Sequence, residues 1–202
     1  MIKEIFLGRS PSHFKMDPVV KVFILSEMML WSAWNGIIPI FALFAISLKG
    51  GTIETAAFGY SIYLMSRVVF ELISGRLLLN AGDLKKFVFS IFGISIVSIA
   101  YLGFAFSTTA EMVYLFYSFA GLGLGIASPA KNSLFAMHLD PHKEAFEWSV
   151  QDALAFFCMA MAAFAGGLVA KQFGFVTLFL LAAALNLTSV LPYVLYLQYK
   201  KH

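Results

Sequence analysis

Apolar residues in this chain come in long blocks separated by short polar interruptions. Six blocks, at about 19–48, 55–79, 87–106, 111–137, 146–170 and 173–198, each approach or exceed the roughly 20 predominantly apolar residues that a helix needs to cross a bilayer. The interruptions read KGGTIE, NAGDLKK, STTAE, HLDPHKE and KQFG, and carry the glycine, proline and charge that close helices. The pattern predicts an all-α integral membrane protein. Residues 1–18 form a cytoplasmic N-terminal tail, 19–198 one six-helix transmembrane domain, and 199–202 a cytoplasmic C-terminal tail. No linker or second soluble domain interrupts the pattern.

Composition agrees. Of 202 residues, 60% are hydrophobic and only 12% charged, with a mean hydropathy of +0.84, whereas a soluble domain is about 25% charged. The net charge of +3 is spread over block ends, which argues against a nucleic-acid partner. Cys158 is the single cysteine and lies in an apolar block, so no disulfide framework or cysteine metal site is expected. The opening MIKEIFLGRSPSHFKMDPVVK lacks a short apolar core followed by a small-residue cleavage site, so it reads as a retained tail.

The basic residues also orient the chain. With the N-terminus inside, Lys3, Arg9, Lys15, Lys21, Arg76, Lys85, Lys86, Lys131, Lys143, Lys200 and Lys201 fall on the cytoplasmic side. Only Lys49 and Lys171 fall outside, and Arg67 stays at membrane depth. By the positive-inside rule this is a multi-pass protein of the cell (inner) membrane with both termini cytoplasmic.

Charges inside the blocks are unevenly placed. The first block carries Glu27, the second Arg67 and Glu71, the fourth Lys131 and the fifth Asp152, while the third and sixth have none and offer Asn186 as their strongest polar group. Ionisable groups at membrane depth turn toward a bundle interior or a watery cavity, because lipid exposure costs several kcal/mol. The first, second, fourth and fifth helices are therefore expected to line something polar, and the third and sixth to face lipid. GRLLLNAG and GLVAKQFG place glycines 75/82 and 167/174 at the same spacing near opposite membrane faces. That echo fits a 3+3 inverted repeat, a common plan among secondary transporters.

On these residues the chain resembles the N-terminal six-helix half of a major facilitator superfamily transporter. LSEMMLWSAWNGIIPIFALFAISL is similar to a first helix of that family, with a polar–Gly–Pro break over Asn35–Pro39. GRLLLNAGDLKK stands where the family's signature loop belongs, and Gly75, Gly82, Lys85 and Lys86 echo it. Leu79 holds the usual aspartate position, Asn80 a basic one and Asp83 the next basic one. AGLGLGIASPAKNSL resembles the glycine-rich fourth helix, with Tyr117 where many members carry arginine, and FEWSVQD resembles the opening of a fifth. The resemblance implies transport by alternating access, with Gly75, Gly82, Asp83, Lys85 and Lys86 as a conformational gate loop that works differently from the usual one. It also implies a second six-helix half, in a homodimer or heterodimer. Gly121, Gly123 and Gly125 would allow close approach at that interface.

Seven residues are candidates for a substrate or proton path: Glu27, Trp31, Asn35, Tyr63, Arg67, Glu71 and Asp152. Arg67 and Glu71 share a helix face at i and i+4, continued by Tyr60, Tyr63 and Ser74. The structural reading of that pair is an internal brace for its helix. Glu27, Trp31 and Asn35 recur every four residues, with Asn35 near the midplane; the alternative is packing tryptophans and a cross-helix amide bond. Asp152 also reads as an early-helix acid favoured by the helix dipole, and Lys131 as a side chain snorkelling to the headgroups. Tyr114, Tyr117, Ser118, Gln151 and Met159 are weaker candidates, and His13, His138, His142 and His202 fall in tails or loops.

No His-Glu-x-x-His, Gly-x-Ser-Gly with a membrane histidine, intramembrane aspartate pair or phosphate-cradling loop is present, so neither an enzyme, a metal nor a cofactor is expected. The expected function is secondary active transport of a small solute, amphiphilic if aromatic residues line the path, with protons a candidate coupling ion. The alternative is a non-transporting six-helix accessory or partner-binding membrane protein.

Overall fold

Pro39 has no amide to donate and cannot continue a regular helix. In the computed structural model, which describes residues 16–200, α1 (Pro18–Ile37) accordingly ends before it. A three-residue 3₁₀ turn spans Ile38–Ile40, and α2 (Phe41–Ser47) completes the first traverse. Asp17 caps α1, its carboxylate accepting the Val19 amide at 2.7 Å, with Pro18 in the first turn. Next come α3 (Ile53–Leu77), α4 (Asp83–Ala105), α5 (Ala110–Met137), α6 (Glu144–Thr188) and α7 (Leu191–Tyr199). Thr52 and Thr55 close a reciprocal capping box at the start of α3. Lys3, Arg9, Lys15, Lys201, His13 and His202, which entered the orientation and histidine arguments, lie outside the described residues.

Five stretches are long and apolar enough to cross a membrane: Pro18–Ser47, Ile53–Leu77, Asp83–Ala105, Ala110–Met137 and Glu144–Tyr199. The last, at 56 residues, would measure about 84 Å as one straight helix, far beyond a hydrocarbon core of about 30 Å. It is broken at Gly174, whose φ of 83° and ψ of 170° belong to glycine alone. Before that break, Gly166 meets the backbone of Gly36, and Trp148 meets Phe135 edge to face with ring centres 4.6 Å apart. After it, Phe175 and Phe179 pack on Phe44, and Tyr193 lies 5.7 Å from Phe87. Along the first traverse, the arm before the break runs from Trp148 beside Phe23 and Glu27 to Gly166 against Gly36, and the arm after it runs back from Phe175 and Phe179 on Phe44 to Leu185 near Ala33.

Small residues let the helices close on one another. A Cβ on Gly125 would fall 2.9 Å from the Arg67 carbonyl, and one on Gly123 2.6 Å from the Gly93 carbonyl. Gly121 likewise abuts the backbone of Tyr63 and Arg67. These three glycines, expected at an interface with a second half, are consumed within the chain, where α5 meets α3 and α4. Ser66 and Ser74 reinforce the α3–α5 seam, donating to the carbonyls of Ser118 and Gly125 at 2.8 and 2.7 Å.

The third block differs from its expectation as the outermost, lipid-facing one. In α4 more than half of the most apolar window is enclosed (56%), against 11% for α3. Val88, Phe92 and Ile99 do face outward, but Ser90, Gly93, Ile94, Val97 and Tyr101 form an opposite stripe buried against α5 and α6. The distribution of charge locates polar groups; it does not reveal how many faces of an uncharged helix are covered. Asn186 is fully buried in this seam and donates to the Ile94 carbonyl and Ser98 Oγ at 2.9 and 2.8 Å.

Candidate functional site

On α1, Phe23, Glu27 and Trp31 are spaced by four and so project from one face. Opposite them Lys131 leaves α5 just after Pro129, and Trp148, Asp152 and Phe156 repeat the same spacing on α6. These faces line a half-open cavity of about 300 Å³, walled by Phe23, Glu27, Trp31, Trp148, Asp152 and Phe156, with the amides of Asn132 and Gln151.

Glu27 and Lys131 form a buried ion pair at one edge of this cavity, with side chains 5% and 3% exposed. Trp31 donates its indole N–H to the other carboxylate oxygen of Glu27 at 2.8 Å. The Lys131 ammonium also lies 5.9 Å from the Phe23 ring centre and 5.7 Å from that of Trp31, within cation–π range. Lys131 therefore does not snorkel to the headgroups. Burial of both charges is tolerated because each is paired and hydrogen-bonded. Asp152 differs: it is exposed and makes no ion pair or side-chain hydrogen bond among the described residues.

Arg67 and Glu71 pair as their spacing predicts, Nε to Oε2 at 3.0 Å. Arg67 also donates to the Tyr63 hydroxyl at 3.2 Å and to Ser128 Oγ at 3.3 Å, which ties α3 to α5. This cluster is half-exposed and does not join the Glu27–Lys131 pair, so the five membrane-depth charges make two separate groups and a free aspartate. Asn35 donates to the Trp31 carbonyl of its own helix at 3.0 Å. Among the described residues it builds no cross-helix bond, and it is not part of the cavity wall. Trp34 is buried against Tyr63, with ring centres 4.9 Å apart.

Gly75, in the last turn of α3, and Gly82, just before α4, both have open space around them. Asp83 faces His138 Nε2 at 3.5 Å and Lys200 Nζ at 4.0 Å, so the start of α4 meets the ends of α5 and α7. Lys85 donates to the Leu77 carbonyl at 2.7 Å, closing the C-terminus of α3. Lys86 is buried with its ammonium 2.7 Å from Met137 Sδ.

Phe23, Asn132, Trp148 and Phe156 were not singled out by the sequence reading. The signal that locates three of them is a pair of matched i, i+4 rows, aromatic–acid–aromatic, in the first and fifth blocks.

A multi-pass helical bundle of this kind, with paired charges at membrane depth beside a small cavity, is the build of a membrane transport protein. The chain matches the Major Facilitator Superfamily over residues 23–202, nearly its whole length, and belongs to that family. Comparison with curated proteins returns no match.

Proposed function

We propose that the chain is one six-helix half of a secondary transporter that moves a small solute by alternating access. Residues 144–199 supply two traverses joined at Gly174, so the halves of the chain form a 3+3 inverted repeat. The opposite order of contacts on the two arms of that segment supports this count. The excess of Lys and Arg near one set of helix ends supports cytoplasmic termini. The observation that carries the transport reading is the Glu27–Lys131 pair beside a cavity built by α1, α5 and the first arm of α6.

The second half is a copy of this chain or a different six-helix unit, and it meets the faces of α1, α3, α5 and α6. The half-exposed Arg67–Glu71 group on α3 supports that arrangement, because a charged pair facing acyl chains is costly. Glu27, Glu71 and Asp152 are the candidate proton carriers, Trp31 belongs to the solute wall, and Tyr63 positions Arg67. Asn35 shapes α1, and Gly75, Gly82, Asp83, Lys85 and Lys86 form the gate loop.

Purified protein in liposomes loaded with a pH-sensitive dye tests this reading. Solute-dependent proton flux that is abolished in Glu27→Gln is the expected result; absence of any solute flux across a broad panel would defeat it. One observation favours a second reading, a partner-binding membrane protein that does not transport. Leu79 replaces the usual signature aspartate, and Asp83 is engaged with His138 and Lys200 inside the same half. Co-purification of a stable partner by a protein inert in the flux assay is what that alternative requires.

A further inference from the structure

The wall of the 300 Å³ cavity is chemically one-sided. Its charged groups are two acids, Glu27 and Asp152, and no base lies among the lining residues, since the Lys131 ammonium is withdrawn behind Glu27. The remaining surface is mainly aromatic, from Phe23, Trp31, Trp148 and Phe156, with two amides and the apolar Ala155 and Met159. We propose that this cavity binds the ammonium group of a small organic cation carrying an aromatic or aliphatic body, with Asp152 as its counter-charge. The inference rests on the reading of the same cavity as a transporter's solute site, and names the solute's class.

Three features of the site favour a cation over an anion or a neutral solute. Asp152 has no partner among the described residues, and a carboxylate at membrane depth is stabilised by a positive charge brought to it. Aromatic faces attract cations through the ring quadrupole, and quaternary ammonium groups are recognised by such cages. The protein already demonstrates this at the cavity edge, where its own Lys131 ammonium sits between a carboxylate and the Phe23 and Trp31 rings. An anion entering the same space would meet the unpaired Asp152 carboxylate, with no base in the wall to offset it. The volume is at the small end of ligand sites, which limits the guest to about one ring with its charged substituent.

The test uses the full chain in a neutral detergent, with benzyltrimethylammonium and benzenesulfonate as probes of similar size and opposite charge. Tryptophan fluorescence and calorimetry are read against detergent blanks. Saturable binding of the ammonium probe and none of the sulfonate is expected. Affinity should drop at least tenfold in Asp152→Asn and recover largely in Asp152→Glu, with thermal unfolding checked for each variant. No saturable ammonium binding to the folded wild-type protein, equal binding of the sulfonate, or an unchanged affinity in folded Asp152→Asn each overturns the proposal. The wild-type comparison stands even if the variants fail to fold. Flux in liposomes separates this proposal from its parent: ammonium binding without any transport defeats the transport reading alone. Transport of neutral or anionic solutes without ammonium binding defeats this one alone.

Discussion

Lys131 on α5 reaches Glu27 on α1 across 104 positions of sequence, and the two charges neutralise each other out of contact with solvent. Removing one partner strands the other, whereas removing both leaves no buried charge. Glu27→Gln or Lys131→Met alone should cost about 3–5 kcal/mol of stability. The double variant should recover most of it. Denaturant unfolding in mild detergent checks this; equal losses in single and double variants would show that the pair is not what holds α1 to α5.

Gly125 and Gly75 make a controlled comparison. A methyl on Gly125 would press on the Arg67 carbonyl and the Glu71 amide nitrogen, at 2.9 and 3.0 Å, while one on Gly75 would meet nothing within 4 Å. Gly125→Ala should lose about 1–3 kcal/mol as overpacking forces α3 from α5. Gly75→Ala, inside a helix, should gain about 0.5–1 kcal/mol. Thermal unfolding of the two variants side by side decides the point.

Glu71 is expected to separate stability from function. Its ion pair with Arg67 is about a third exposed, at 39% for the carboxylate, and such pairs contribute about 0–1 kcal/mol. Glu71→Gln should therefore unfold within about 1 kcal/mol of the parent. If this face meets a second half and carries protons, the same variant loses coupled flux; unchanged coupling at normal expression removes Glu71 from the path.

Asn186 should be a modest brace. Its two hydrogen bonds to Ile94 and Ser98 join α6 to α4, and interhelical hydrogen bonds inside membranes average about 0.6 kcal/mol. Asn186→Ala should cost on the order of 1 kcal/mol once the emptied space is included. A loss of several kcal/mol would mean that the amide organises more than this seam.

Much of this was legible beforehand. Block length and hydropathy locate the first four spans, because a bilayer demands a minimum apolar run, and Pro39 marks the break in the first traverse; the fifth and sixth blocks instead run together in one 56-residue stretch bent at Gly174. Arg67 and Glu71 pair as their spacing dictates, since i and i+4 are neighbours on any helix. Lys131 was misread because its true partner is on another helix, and single-sequence spacing carries no information about that distance. The glycines of α5 were assigned to an outer interface for a similar reason. Their size announces a close approach but does not say to which neighbour. The third block looked outermost because it lacks charge, yet its small residues are what allow it to be covered on one side.

Gly174 connects the two arms of the longest helical run through a single residue, with no loop to absorb strain between them. If either arm tilts, the other is dragged like the far end of a lever, and the torque passes through one pair of backbone torsions. An elbow of that sort would make the stretches before and after Gly174 move as one mechanical piece.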